Sequence, residues 1–494
     1  MTIKDQYKAK VLNPINEAGF KAYFVGGCVR DFLMGVEPHD YDICTTATPE
    51  ELHKIFNKFS NVSNNSEPFG VTMLLIEIDG KFEEVEIATL RKDITKGRHP
   101  KIEFTRDIKE DAERRDFTVN ALYEDIDGFI FDMVGGAQDI KNRTLRFVGN
   151  AQDRINEDPL RIFRFVRFLA SKGFKSAYTK REVLDWNFSF TEVSAERQLK
   201  ELEKTFAGKF LFPDTWEFVL ASRVLTSLGL TSVMVDLRNV AQSWMWHSEG
   251  SIWVDDNGKE FKGDEIVDFT HLTPKAHGTA WDHTLIVMKR MAELSKDFDE
   301  HTRFVMMMAA LLHDIGKAHS TLGMKTNTFK IGSKEFTESI PKVSSHDVDG
   351  APIAYDICKS IGMTNDDSET VRELVRLHMR AHQLGDMKSK KAVWEITSNP
   401  IFDKLIMLAK ADGSACVKTV SDAWVGIEKS LEKPIIQSVI GKPMPKPIIT
   451  GDFLIGKGMK PSPKFKHILD VALKMQIDKD MTDAEAIYKI VKGC

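Results

Sequence analysis

Cysteine is scarce. The five present (Cys28, Cys44, Cys358, Cys416 and Cys494) are odd in number and form no CxxC pair. A disulfide framework is therefore not expected, and the thiols read as the reduced ones of a cytoplasmic protein. No apolar run approaches the roughly 20 residues of a membrane-spanning helix. The opening MTIKDQYKAK is charged and lacks the apolar segment of a signal peptide. Prolines number only 17, and 42% hydrophobic with 29% charged residues is an ordinary globular composition, so long disordered stretches are not expected. No segment repeats. A net charge of −5 excludes a chain that is basic all over, though not a locally basic nucleic-acid surface.

What is present is unevenly placed. Residues 141–182 hold eleven Lys/Arg against four Asp/Glu, a surplus of about +7 in an acidic chain. With 494 residues the chain is too long for one core. Residues 1–150 read as mixed α/β, with strand candidates AYFVGG, VTMLLIEI, EEVEIATL and GFIFDMV and a turn at Asp79-Gly80. From 151 the pattern turns helical. DPLRIFRFVRFLA (158–170) reads as one helix with arginines 161, 164 and 167 opposite its apolar face. SAERQLKELEKTF offers Ser194 as an N-cap. A boundary falls near 245. Residues 276–430 are again helical, interrupted by a Gly/Lys/Ser-rich stretch at 320–345, and an amphipathic helix closes the chain.

YFVGGCVRDFLMGVEPHDYDI (23–43) sets Asp40 and Asp42 two residues apart. On a strand both carboxylates point to one face and repel unless a cation lies between them. Carboxylate oxygens suit Mg²⁺ and phosphoryl-transfer chemistry. A lone DxD is more often a solvated turn. Here Gly26-Gly27 follows a strand and can bring backbone N–H groups against a phosphate. Arg30 stands within one helical turn, and Glu86 lies on a strand that could supply a third carboxylate.

GGCVRDFLMG, HDYDI, VEIATLR, EDAERRDFTVNALY, DMVGGAQDIKNRTLRFVG, EDPLRIFRFVRFLASKGF and SAERQLKELEK follow in that order. Together they resemble the class II tRNA nucleotidyltransferase family, the CCA-adding enzymes and their poly(A) polymerase relatives, over residues 20 to about 205. The resemblance implies a polymerase-β-like head in which Asp40, Asp42 and Glu86 are catalytic, Asp40 and Asp42 holding two Mg²⁺ ions and Glu86 standing as the third carboxylate. One metal would activate the RNA 3′-hydroxyl, and the other would hold the triphosphate and stabilise the leaving pyrophosphate. It also implies nucleotide-binding roles for Gly26, Gly27 and Arg30, and puts Arg115 and Asp116 of ERRDFTVNAL around the ribose. Isolated, Arg114 and Arg115 would read as a solvated helix start and Asn120 as a local cap. TLRKDITKGRHPKIEF resembles the family's flexible loop, a residue or two short of its pattern, which bears on the final A.

Asp158 and Arg161 are i and i+3, so a helix puts them on one face. The ordinary meaning is a modest salt bridge. Cytosine and adenine both present an amine donor beside a ring-nitrogen acceptor, which an aspartate and an arginine complement. Guanine and uracil reverse that order, and a buried mismatch costs several kcal/mol. The pair could thus select CTP and ATP, the role the family gives to the EDxxR motif, here Glu157–Arg161. Arg164 and Arg167 continue the face toward triphosphate or base, or form a solvated stripe. The basic surplus would hold the phosphates of the tRNA acceptor end.

A second constellation comprises His283, His313-Asp314 in AALLHDIGKAH with Lys317, His346, His378 and His382, and Asp412. A single helical histidine is more often a core residue than a ligand, but imidazoles with carboxylates suit a divalent metal. The set resembles the HD phosphohydrolase superfamily, whose H…HD…D pattern maps onto His283, His313, Asp314 and Asp412. His346 and His378 are second-metal or phosphate ligands by the same comparison, and Lys317 is a phosphate contact or a solvated helix end. The resemblance implies Mg²⁺, Mn²⁺ or Ni²⁺, and opens a 3′-end phosphatase or 2′,3′-cyclic phosphodiesterase role in repair.

The expectation is an α+β multidomain protein. A nucleotidyltransferase head with a mixed sheet (1–150) precedes an all-α neck (151–245), an HD domain (246–430) and a tail (431–494). The function expected is CCA addition to tRNA from CTP and ATP in the cytoplasm, away from membranes. The HD block and the lack of a long basic tail favour this over a poly(A) polymerase or a partial CC- or A-adding enzyme. The intact carboxylate set favours it over an HD hydrolase with a non-catalytic RNA-binding head.

Overall fold

A computed structural model describes residues 2–38, 40–56, 70–95, 101–242, 251–255, 257–262, 273–331, 334–415 and 422–492. The chain divides into two compact units, Met1–Leu228 and Gly229–Cys494. None of the described helices is long and apolar enough to cross a membrane. Cys28, Cys44 and Cys358 are buried free thiols, while Cys416 and Cys494 lie outside the described residues.

The first unit is built on strands β1 (Ala22–Val25), β2 (Ile43–Thr45), β3 (Val71–Ile78), β4 (Lys81–Thr89), β5 (Arg91–Asp93), β6 (Ile102–Phe104), β7 (Leu122–Glu124) and β8 (Ile130–Asp132). Six of them form one sheet in the order β3-β4-β2-β1-β7-β8, with β2 parallel to β4 and the other pairs antiparallel. The apolar AYFV of β1 is buried throughout, as a central strand requires. Asp79 and Gly80 have φ of 49° and 76° and join β3 to β4 in a two-residue turn, which fixes their register at Ile78↔Lys81. Along β4 the alternation turns Val85 and Ile87 inward and leaves Glu84 and Glu86 on the open side. β5 and β6 pair as a separate hairpin. Residues 96–100, in the loop expected to be short, lie outside the described residues.

Helices α1 (Gly27–Leu33), α2 (Ile108–Glu113), α3 (Ala151–Glu157), α4 (Leu160–Lys172) and α5 (Ala195–Phe206) complete what positions the head site. The helix expected over 158–170 is broken. Asp158 is extended (φ −147°, ψ 103°) and caps the end of α3, and α4 starts only after Pro159. A residue before proline is driven out of helical geometry by the pyrrolidine ring, which explains the break. Ser194 holds the N-cap position of α5, but its side chain makes no capping hydrogen bond. Phe163 and Phe165 of α4 are fully buried, and Phe147 packs on Phe165 at 5.8 Å. Each such ring contributes about 1.5–3 kcal/mol by leaving water, so α4 is held firmly against the head.

The second unit starts with α6 (Thr231–Arg238), earlier in the chain than the boundary placed near 245, itself outside the described residues. Its helices include α7 (Ala280–Leu294), α8 (Glu300–Leu312), α9 (Gly316–His319), α10 (His346–Ser360), α11 (Asn365–His382) and α12 (Phe402–Gly413). Arg303–Leu312 of α8 are buried on every side. A helix apolar all round belongs in the middle of a bundle, and it carries His313-Asp314 into the interior. The interruption at 320–345 is a β-hairpin, β9 (Thr321–Ile331) with β10 (Lys334–Val343), and a three-stranded sheet precedes α7. This part is therefore helical with β additions rather than all-α. The tail helices α13 (Lys464–Asp478) and α14 (Ala484–Val491) enclose a small core of Ile449, Leu454, Ile468 and Ile487.

Candidate functional site

Asp40 and Asp42 lie just before β2 rather than on it, yet both face one cleft. The parallel register Ile43↔Ile87 sets Asp42 level with Glu86. The three acids, with Tyr7, Tyr41, Met73, Glu83, Glu84 and Val85, line a cavity of about 560 Å³. Burial raises the Asp42 carboxyl above its ordinary value, and the charges of Glu86 and Asp40 push the same way against Arg115 and Arg30. A carboxylate disfavoured by its neighbours is what a cation would relieve, so an all-oxygen donor set suited to a hard divalent ion fits. The head oxygens do not close as tightly as a ligand cage. Among the described residues, the groups of three with ligand atoms within 4.8 Å of one another are in the second unit.

Gly26 turns at φ 71°, and a Cβ there would stand 3.5 Å from Arg115 Nη1 and 3.9 Å from Asp42 Oδ2. The glycine turn therefore lies directly against the acidic cleft. Arg30, 5% exposed, donates to Asp31 (2.8 Å) and to Asn120 Oδ1 (2.6 Å). Asn120 is more than a local cap, because its amide donates on to Asp116 (3.1 Å). Asp116 accepts from Arg164 Nε at 2.8 Å. Burial opposes its charge, but Arg164 and Asn120 draw it down to about 2.

Asp111, which had no assigned role, organises the next wall. It accepts from Arg114 (2.6 Å), Arg115 (3.0 Å) and Tyr123 (2.7 Å). Burial opposes its charge as well, and Arg115 and Arg114 hold it at about 2. The signal was in the sequence: Asp111 stands i−3 and i−4 from the two arginines.

Asp158 and Arg161 do not pair with each other. Arg161 donates to Glu157 (2.6 Å) and to the carbonyls of Arg154 and Arg114 (3.0 Å each). Asp158 caps Leu160 N (3.1 Å) and faces Arg197 at 3.3 Å. Arg164 and Arg167 are not a solvated stripe, since they pair inward with Asp116 and Glu201. Much of the basic surplus of 141–182 is spent in this way, with Arg146, Arg154, Lys172 and Arg181 also paired to carboxylates.

In the second unit, the two oxygens of Asp314 face different partners. Oδ2 lies 3.4 Å from His313 and 2.6 Å from Lys317, whereas Oδ1 lies 3.4 Å from His346 and 3.9 Å from His378. His283 meets Asp412 Oδ1 at 3.0 Å. Nδ1 of His313 and of His378 bond the carbonyls of Ala310 (2.8 Å) and Val375 (2.6 Å), which commits the proton to Nδ1 and leaves Nε2 as a lone-pair donor. Nε2 of His313 and of His346 are buried with no hydrogen-bond partner among the described residues. Burial and the adjacent His313 pull His378 down to about 3, so it stays neutral as a ligand must. Burial opposes the charge of Asp314, but Lys317 and His313 hold it well below the usual carboxylate range. Gly316 permits the approach of α9 to α10: a Cβ there would sit 2.0 Å from the His346 carbonyl. His382, in the constellation but without an assigned role, is bonded to Asp412 Oδ2 at 2.8 Å. The donor set fits a divalent cation, which His283, His313 and Asp314, or Asp314, His346 and His378, would hold.

Residues 22–146 match the poly A polymerase head domain, and residues 280–414 match the HD domain. Fold and sites thus define the class as a nucleotidyltransferase-type head joined to an HD domain, two modules that imply divalent metal use. Among individual proteins, the chain is 38% identical over 252 residues to the CCA-adding enzyme of Lactococcus lactis subsp. cremoris, spanning 47% of this chain and 61% of that one. It is 41% identical over 197 residues to the mitochondrial CCA tRNA nucleotidyltransferase 1 of Danio rerio, spanning 38% and 44%. These matches cover less than two thirds of either relative. Its fold is similar to that of the Bacillus stearothermophilus CCA-adding enzyme in complex with CTP, with a TM-score of 0.56 at 20% identity over 100% of this chain and 98% of that one. It is also similar to that of the Thermotoga maritima CCA-adding enzyme complexed with tRNA, with a TM-score of 0.52 at 17% identity over 99% and 94%.

Proposed function

We propose that this protein adds CCA to the 3′ end of tRNA from CTP and ATP, without a template, in the cytoplasm. The observation that carries the reading is the convergence of Asp40, Asp42 and Glu86 on the cleft beside the Gly26-Gly27 turn. Mg²⁺ ions held by those three carboxylates would supply activation of the 3′-hydroxyl and neutralisation of the triphosphate. Gly26 and Gly27 let the backbone approach the phosphates. Arg30, fixed by Asn120, holds the turn in place. Arg115 and Asp116 form the ribose wall, kept rigid by Asp111 and Arg164. Asp158 and Arg161 present one acceptor and one donor edge to the base, Arg161 being oriented by Glu157. Arg167 supports α4 through Glu201.

The HD site, with ligands His283, His313, Asp314 and Asp412 for Mg²⁺, Mn²⁺ or Ni²⁺, is read as a phosphohydrolase acting on damaged 3′ ends. The buried Nε2 atoms of His313 and His346, without hydrogen-bond partners among the described residues, support that reading. One experiment tests the head: tRNA lacking its 3′ end is incubated with the protein, Mg²⁺ and one labelled NTP at a time. Ordered C, C, A incorporation is expected. Untemplated runs of A would point instead to a poly(A) polymerase, and no incorporation would sink the nucleotidyltransferase reading.

A further inference from the structure

The neck carries a second concavity that none of the chemistry above uses. A cavity of about 360 Å³ opens between the segment around Phe188 and the turn at Arg223. That volume lies within the range of small-molecule sites. One side is aromatic: the rings of Phe188 and Phe190 meet edge-to-face at 4.8 Å, and Phe190 is backed by Phe163 at 5.1 Å. The lining also includes the polar side chains of Thr191, Arg223 and Ser227. Ser227 donates to Gln198 Oε1 at 2.8 Å, and Gln198 donates to the Val193 carbonyl at 2.8 Å, so the floor is fixed.

Arg223 decides the chemistry. Its φ of 58° is a left-handed conformation uncommon for a residue with a side chain. The guanidinium lies over the Phe188 ring at 4.4 Å, and one Nη donates to the Trp186 carbonyl. A tether of this loop needs no more than that. Nε is nevertheless buried with no hydrogen-bond partner among the described residues. Arg223 also lines the cavity, and a guanidinium is a strong partner for an anionic acceptor. An aromatic face, a guanidinium and the Thr191 hydroxyl together form the donor set for a planar base joined to a phosphate.

We propose that this cavity binds one nucleoside phosphate unit, its base against Phe190 and its phosphate on Arg223 and Thr191. The unit is either a free nucleotide or an unpaired nucleotide of an RNA strand. The RNA source rests on the function proposed above, whereas the cavity chemistry does not.

The test uses the full chain, a 12-nucleotide single-stranded RNA carrying 4-thiouridine, and AMP as competitor. Photo-cross-links are expected within residues 188–191. R223Q is expected to lower their yield at least fivefold with an unchanged melting temperature. If R223Q fails to fold, F190L keeps the packing on Phe163, removes the stacking face and is expected to show the same loss. Loss of the cross-link under saturating AMP assigns the site to free nucleotides, and its persistence assigns the site to the RNA strand. Cross-links absent from 188–191, or unmoved by both variants, overturn the proposal. CCA addition measured on the same samples separates the two readings. Addition without the cross-link sinks the cavity proposal alone, and the cross-link without addition sinks the proposed activity alone.

Discussion

Asp116 and Arg164 pair at 2.6 Å, and this contact ties the segment after α2 to the face of α4. It is one link in a chain that runs Arg164–Asp116–Asn120–Arg30 and ends at the helix that follows the glycine turn. The turn and the neck helix are therefore tied together by hydrogen bonds, and a nucleotide held between them would meet a preorganised wall. Breaking the pair should show this. Asp116→Asn leaves Arg164 without its counter-charge and is expected to cost about 1–3 kcal/mol of stability. It should also raise KM for CTP and ATP together. Denaturant melts and steady-state kinetics check both, and an unchanged KM would uncouple the wall from substrate.

Acid should loosen the same wall. Asp111 and Asp116 have folded values of about 2 against an ordinary 3.8. A carboxyl depressed on folding stabilises the protein above its unfolded value and loses that contribution as pH falls through the folded one. Stability of the first unit should therefore hold above about pH 4 and fall steeply toward pH 2. Asp111→Asn should lower the plateau and flatten the acid limb, measured as melting temperature against pH. An acid limb equal to that of the unsubstituted protein would remove Asp111 from this account.

The head strands at 22–25, 71–78, 81–89 and 130–132 were legible because apolar alternation and the Asp79-Gly80 turn are local signals. The strand at 43–45 was expected too early, with Asp40 and Asp42 on it, and it begins only at Ile43. The break at Asp158 could have been read from Pro159, and the Asp111 hub from its spacing to Arg114 and Arg115. The hairpin over 321–343 carries mostly polar residues on both faces, so no alternation announced it. The pairs His382–Asp412 and Arg164–Asp116 join residues 30 and 48 positions apart. No one-dimensional pattern encodes such contacts.

Asp42 should separate activity from stability. Burial and the charges of Glu86 and Asp40 make its ionised form unfavourable in the folded protein. Asp42→Asn removes that repulsion, so the melting temperature in the absence of divalent metal is expected to stay level or rise. Nucleotide transfer is expected to fall by roughly 10³-fold or more, the scale of losing one electrostatic contact to the reacting centre. A variant both stable and active would dismiss Asp42 from the chemistry.

His313→Ala should act on the second site alone. Nε2 of His313 is buried beside Asp314, and its removal takes one donor from the grouping with His283. Metal content by elemental analysis should drop, and 2′,3′-cyclic phosphate hydrolysis should drop with it. The proposed CCA addition should be unaffected, because the carboxylates assigned to it belong to the first unit. Retained metal and hydrolysis would remove His313 from the ligand set.

Base selection separates a reading role from a supporting one. Arg161 is oriented by Glu157 at 2.6 Å, and the Asp158 carboxylate bonds Leu160 N and Arg197 rather than the Arg161 guanidinium. If the two side chains read the base edge, changing donor order should change the base. Asp158→Asn can donate as well as accept, so uracil's carbonyl no longer faces a bare carboxylate. UTP use relative to CTP is expected to rise about 10–100-fold, the scale of one buried polar mismatch relieved. Glu157→Gln keeps both reading groups but loosens Arg161, so kcat/KM for CTP and ATP should fall together with no gain for UTP. The kcat/KM values for all four NTPs on both variants decide the matter. If Asp158→Asn lowers every nucleotide alike, Asp158 only caps α4, and selection lies elsewhere.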